Sequence, residues 1–106
     1  MRALVTGASG FVGANLIEVL QDAGNKVIAT SRSRVEQPGI FYVASPELGP
    51  EAEWTPALSG IDAVVHLAGR AHVTAEQADA KTDQAYLRIN AEGTRALAAQ
   101  CAAAGV

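Results

Sequence analysis

The stretch Thr6-Gly7-Ala8-Ser9-Gly10-Phe11-Val12-Gly13 sets three glycines at intervals of three between an apolar run, Arg2 to Val5, and a segment of helical pattern, Phe11 to Ala23. In that second segment Ala14, Ile17, Leu20 and Ala23 recur at the spacing of one helix face, so the chain passes from strand through a tight turn into helix. Glycine is common in turns for steric reasons alone. A glycine turn between a strand and a helix has a second use, because it can cradle a phosphate. Gly7 lets the chain reverse at the strand end, Gly10 lacks the Cβ that would block a pyrophosphate, and Gly13 lets the helix press close. The helix start then offers free N–H groups and about half a positive charge.

Downstream, Gly24 and Asn25 stop the helix and Lys26 to Thr30 reads as a second, β-branched strand. Ile40 to Val43 predicts a third strand and Glu51 to Ser59 a short helix, within a loop-rich region, Arg32 to Pro56, that holds Pro38, Pro46, Pro50 and Pro56. Asp62 to Leu67 predicts a fourth strand, apolar almost throughout, as parallel strands covered on both faces are. From about Thr82 to Ala104 a long Ala-rich helix is predicted, with Tyr86, Asn90, Gly93, Leu97, Cys101 and Ala104 on one face. Gly105 would cap it and Val106 would open a fifth strand.

This alternation implies an α/β class, a parallel sheet of about four strands with helices on both faces. A complete dinucleotide-binding sheet has about six strands, so residues 1–106 read as the N-terminal part of such a domain, truncated, with catalytic and substrate parts absent. A small flavodoxin-like or minimal α/β domain is the alternative. Hydrophobic residues make up 49% of the chain, but 22 of them are alanines, which leaves about 30 side chains larger than a methyl group for the core. An open sheet edge over so thin a core predicts self-association into a homo-oligomer.

Charge and cysteine usage exclude other classes. With 8 basic and 11 acidic residues, nothing in the balance favours nucleic acid or an anionic membrane. Cys101 stands alone, and His66 and His72 lack a third ligand nearby, so no disulfide and no metal site is expected. Met1 to Gly7 has no signal-peptide pattern, and no run approaches the roughly 20 apolar residues of a membrane span. The expectation is a reduced, cytoplasmic protein.

Taken together, TGASGFVG at 6–13, DAVVHLAG at 62–69 and NAEGT at 90–94 resemble the extended short-chain dehydrogenase/reductase family, over essentially the whole chain and in the family's order. The resemblance implies a Rossmann-like fold and the oxidoreductase or isomerase chemistry of NAD(P)-dependent epimerases and dehydratases. Its implied partners are a nicotinamide dinucleotide and, in the full-length protein, a nucleotide sugar. PELGPEAEW followed by HLAGRAHV looks closest to the branch acting in bacterial surface-polysaccharide sugar synthesis.

Candidate cofactor contacts begin with the turn, Gly7, Ser9, Gly10, Phe11, Val12 and Gly13. An acidic residue about 20 positions later would bind the ribose 2′-OH of NAD. The second strand instead ends Thr30-Ser31-Arg32-Ser33-Arg34. Two hydroxyls and two guanidinium groups there favour NADP over NAD, with Ser31, Arg32 and, second, Arg34 as candidates; ordinary solvated loop arginines are the other reading. The resemblance places an adenine-reading Asp–aliphatic pair at Glu47-Leu48, a departure from the family's acid. It also places a small-residue run beneath the cofactor, here Leu67, Ala68 and Gly69, which tight helix–strand packing would equally explain. The family's Asn near the active site matches Asn90, which could instead satisfy its amide on backbone. His66 reads as a core histidine, Trp54 with Glu51 and Glu53 as a surface-helix anchor, and Lys81 with Asp83 as a helix-start charge pair.

No catalytic residue is assigned. The family's hydride chemistry pairs a tyrosine with a lysine four positions on in the pattern YxxxK, but Tyr42 precedes Pro46 and Tyr86 precedes Asn90. A phenol of pKa about 10 needs such a cation to act as a base near neutral pH. Two functions remain: the cofactor-binding part of an epimerase, dehydratase or reductase, inactive alone, or a noncatalytic cofactor-sensing or interaction module.

Overall fold

The computed structural model describes residues 1–34, 36–70 and 80–106. Strand β1 (Arg2–Thr6) leads through the glycine turn into α1 (Phe11–Asp22), and β2 (Lys26–Ser31), β3 (Ile40–Ala44) and β4 (Ala63–His66) follow. Helix α2 (Ala80–Tyr86) continues through a π-helical turn, Leu87–Glu92, into α3 (Gly93–Ala104). The strands form one parallel sheet in the order β3-β2-β1-β4. From β1 the chain moves outward to β3 and then returns to the opposite side of β1 for β4. The connections after β1 and β4 therefore part at their carboxyl ends, and a crevice opens there.

The register sorts the apolar side chains onto two faces. Leu4 stands opposite Ile28 and Val64, while Val5 stands opposite Ala29 and Val65. Because strand side chains alternate, Leu4 and Ile28 pack with Trp54, Leu58, Ile61 and Leu97 beneath α3. Val5, Val27 and Ala29 pack with Ile17 beneath α1. The Rossmann-like, two-faced architecture expected from the pattern is thus present, with strand and helix boundaries within a residue or two of those expected.

Two elements differ: the single long helix expected from Thr82 to Ala104 is interrupted by the π-helical turn Leu87–Glu92, and a second expected helix is nearly absent. The helix expected over Glu51 to Ser59 is only a single 3₁₀ turn, Thr55–Ala57, in an irregular segment. Pro50 and Pro56 cannot donate within a helix ladder. The Gln100 side chain serves the backbone instead, accepting from Trp54 N–H at 2.7 Å and donating to Ala52 O at 2.8 Å. The irregular path lets Ala52, Trp54 and Leu58 all turn inward, so Trp54, 1% exposed, is core rather than a surface anchor.

Both long helices close on left-handed glycines. Gly24 (φ 88°) and Gly105 (φ 81°) each end a Schellman motif. Its bonds run from Gly24 and Asn25 N–H to Gln21 and Leu20 O, and from Gly105 and Val106 N–H to Ala102 and Cys101 O. The second motif lays Val106 against the α3-side core. His72 and the Lys81 side chain lie outside the described residues, and with them the expected Lys81–Asp83 pair.

Candidate functional site

The glycine turn assigns a different task to each glycine. Gly7 has φ +66°, and a Cβ there would stand 2.6 Å from Ala68 N and 2.7 Å from Leu67 C, so the turn touches the chain leaving β4. Gly13 is buried; a Cβ on it would meet Gly7 O at 2.6 Å, so the first turn of α1 rests on the glycine turn itself. Gly10, at φ −76° and ψ 171°, is the N-cap, and its Cβ direction is open except for Gly7 O at 3.4 Å. Among the described residues no side chain caps α1, and no acid sits in its first turn, so its first N–H groups and positive end face outward. Ser9, Phe11 and Val12 are exposed around this opening, Phe11 at 86%.

Beneath the turn, Thr6 Oγ1 lies 2.7 Å from His66 Nδ1 and accepts N–H bonds from Leu67 and Ala68 at 3.1 Å each. The half-buried His66 ring meets Trp54 edge-on, with centroids 6.1 Å apart, and burial pushes its pKa below the usual value. Gly69 follows, where a Cβ would fall 2.9 Å from Asn90 Oδ1. The Asn90 amide grips the backbone of Arg70, accepting from its N–H at 2.8 Å and donating to its carbonyl at 2.9 Å. Arg70 in turn places its guanidinium 5.8 Å from the centre of the Tyr86 ring.

The opposite rim comes from the ends of β2 and β3. Ser31 O accepts from Tyr42 OH at 2.7 Å and from Ser45 N–H at 3.3 Å, and Ser31 Oγ donates to Ser33 O. Arg32 is exposed and forms no ion pair among the described residues. Arg34 turns the other way, 3.7 Å from Glu36 and over the Tyr42 ring, and lines a separate groove along β3.

Between the rims lies a cleft of about 430 Å³. Of the residues expected from sequence, Gly7, Ser31, Arg32, Glu47, Leu48, Ala68 and Gly69 line it. Ser9, Gly10, Phe11, Val12 and Gly13 belong to the adjoining turn and helix start, Leu67 to the strand end beneath, and Asn90 acts on Arg70 from behind. Sequence reasoning missed Ser45, Pro46, Arg70 and Ile89, which also line the cleft, and Thr6, the junction below it. Position was the available signal for Thr6 and Ser45, since Thr6 is the last residue of β1 and Ser45 follows the carboxyl end of β3. Ile89 gave none, because on the straight helix expected there it would face about 100° away from Asn90; the structure has a π-helical turn, Leu87–Glu92, at this point. Among the described residues, no group of three His, Cys, Asp or Glu is placed to hold a metal ion, and no helix is long and apolar enough to cross a membrane.

A parallel sheet that reverses order at β1, with a glycine turn and a helix start at the reversal, defines a Rossmann-like domain of the doubly wound type. The chain matches the model of the NAD dependent epimerase/dehydratase family over residues 3–106 and belongs to that family. It is 36% identical to a 3-beta-hydroxysteroid dehydrogenase of Mycolicibacterium neoaurum across 99% of this chain and 30% of that protein. It is 30% identical to a UDP-glucose 4-epimerase of Vibrio cholerae across 97% of this chain and 31% of that protein. The solved structure of MoeE5 in complex with UDP-glucose and NAD superposes with a TM-score of 0.77 at 30% identity, covering 100% of this chain and 34% of that one. The chain thus spans about a third of the length of the relatives it matches.

Proposed function

We propose that this chain supplies the nicotinamide-dinucleotide site of a cytoplasmic epimerase, dehydratase or reductase that acts on a nucleotide sugar, and that alone it does not turn over. The observation that carries the reading is Gly10: it sits at an uncapped helix start, at the reversal of strand order, with open space where a side chain would stand. That opening fits a diphosphate, which the backbone N–H groups of Ser9, Phe11 and Val12 would hold, the Gly10 N–H being spent on Gly7 O at 3.1 Å within the turn. Gly7 and Gly13 keep the turn and helix tight behind it.

Ser31 and Arg32 would take the adenosine ribose and its 2′-phosphate, Glu47 and Leu48 the adenine, and Leu67, Ala68 and Gly69 the second ribose. Asn90 would act through Arg70. When bound, the nicotinamide supplies the hydride acceptor for oxidation of a sugar hydroxyl. No YxxxK pair occurs in this sequence, so the general base would come from chain beyond Val106.

NADP is the favoured cofactor. Arg32 lines the cleft and forms no ion pair among the described residues, whereas Arg34 is engaged by Glu36 and Tyr42. A unit charge pair at 4 Å is worth about 4 kcal/mol at an effective dielectric of 20, and less at an open rim. Titration with NADPH and NADH is expected to give tighter NADPH binding, by about tenfold, a preference that Arg32→Ala abolishes and Arg34→Ala leaves largely intact. The same preference in wild type and Arg32→Ala would refute the assignment. In the described sheet β4 pairs on one side only, which supports self-association; light scattering that finds a stable monomer would count against it.

A further inference from the structure

We propose that His66 is a positioning residue for the cofactor cleft: as the neutral Nε2–H tautomer it accepts a hydrogen bond from the Thr6 hydroxyl on Nδ1, and so turns both lone pairs of Thr6 Oγ1 onto the backbone that floors the cleft. The proposal rests on the reading that this cleft holds a nicotinamide dinucleotide.

Three groups meet at Thr6 Oγ1: His66 Nδ1 at 2.7 Å, and Leu67 N and Ala68 N at 3.1 Å each. A hydroxyl has one proton and two lone pairs, and a backbone amide nitrogen can only donate. The two amides therefore occupy both lone pairs, and the hydroxyl proton is left for Nδ1. Were Nδ1 protonated, three N–H groups would converge on one oxygen, and the Thr6 proton would need another acceptor within a residue that is 0% exposed. A buried donor without a partner is costly.

The junction matters because of what it holds. Leu67 N–H is shared with the Thr6 carbonyl at 3.3 Å, in continuation of the β1–β4 ladder. Ala68 lies past the ladder, and its N–H is tied down by Thr6 Oγ1. That same Ala68 nitrogen lies where a Cβ on Gly7 would clash, so its placement sets the gap between the cleft floor and the glycine turn. The edge-on contact with Trp54 fixes the imidazole plane, and burial of the ring favours its neutral form. On its other side the ring borders a cavity with Asp62 and Cys101; the Asp62 carboxylate accepts the Arg2 N–H at 2.6 Å.

Nitrogen-15 NMR of the protein at neutral pH reads the tautomer directly. A non-protonated Nδ1 and a protonated Nε2 on His66 are expected, and a protonated Nδ1 would overturn the proposal. Cofactor titration supplies the second arm. His66→Leu and Thr6→Val, which remove acceptor and donor, are expected to raise the NADPH dissociation constant about tenfold. His66→Asn, whose amide oxygen can stand in for Nδ1, and Thr6→Ser are expected to stay within about twofold of wild type. Equal binding by His66→Leu and wild type would refute the positioning role. Should Thr6→Val fail to fold, the tautomer and the His66 pair still decide. Wild-type protein that binds neither coenzyme would sink the functional reading while leaving the tautomer result standing, so the two failures are distinguishable.

Discussion

Replacing each turn glycine by alanine separates the part of the motif that builds the fold from the part that serves a ligand. Ala at position 7 must adopt φ +66° and place its methyl 2.6 Å from Ala68 N and 2.7 Å from Leu67 C. The left-handed backbone costs about 1–2 kcal/mol and forcing two backbone segments apart about 1–3 more, so Gly7→Ala is expected to lose about 2–5 kcal/mol. Gly13→Ala meets Gly7 O at 2.6 Å and Ala8 Cα at 2.8 Å. Its overpacking cost of about 1–3 kcal/mol is partly offset by about 1 kcal/mol of helix propensity. Gly10→Ala meets only Gly7 O at 3.4 Å, at an ordinary φ of −76°. Its poorer N-cap and the stiffer unfolded chain oppose each other, so stability should change by less than about 1 kcal/mol. Coenzyme affinity, however, should fall at least about tenfold, because the methyl occupies the space a diphosphate needs. Urea unfolding followed by the fluorescence of Trp54, the single tryptophan and 1% exposed, gives the stabilities. NADPH titration of the folded variants gives the affinities. If Gly10→Ala unfolds as readily as Gly7→Ala, or binds coenzyme like wild type, the division of labour is refuted.

Thr30 is fully buried and its Oγ1 has no hydrogen-bond partner among the described residues; Thr30→Val should therefore be neutral or stabilising by up to about 2 kcal/mol, and a loss of stability in urea would contradict this. Asn90→Ala removes the amide that accepts from the Arg70 N–H and donates to its carbonyl, so amide exchange at Arg70 should quicken about tenfold while exchange in β1 is unchanged. Burial depresses the His66 pKa in the folded state, so the unfolded chain binds the extra proton first as pH falls. Stability should thus decline as pH drops from about 6.5 toward the lower folded value, and His66→Asn should flatten that decline in urea titrations across the window.

Local spacing made much of the molecule legible. Short, nearly continuous apolar runs marked four strands, the i, i+3 pattern marked the two long helical segments, Gly24 and Gly105 marked their ends, and the glycine turn stood between β1 and α1 as expected. Each of these depends on residues a few positions apart, whose geometry is set by the period of the element they sit in. Tertiary structure alone decided what depends on register. Thr6 meets His66, sixty residues away, only because β1 pairs with β4 in that alignment. The segment expected to be helical around Trp54 follows an irregular path because Gln100, on α3, satisfies its backbone. Arg32 lines the cleft while Arg34, two residues on, is drawn to Glu36 and Tyr42. In each case the outcome rests on which distant partner the packed sheet and helices bring within hydrogen-bond reach, information that no stretch of the chain carries by itself.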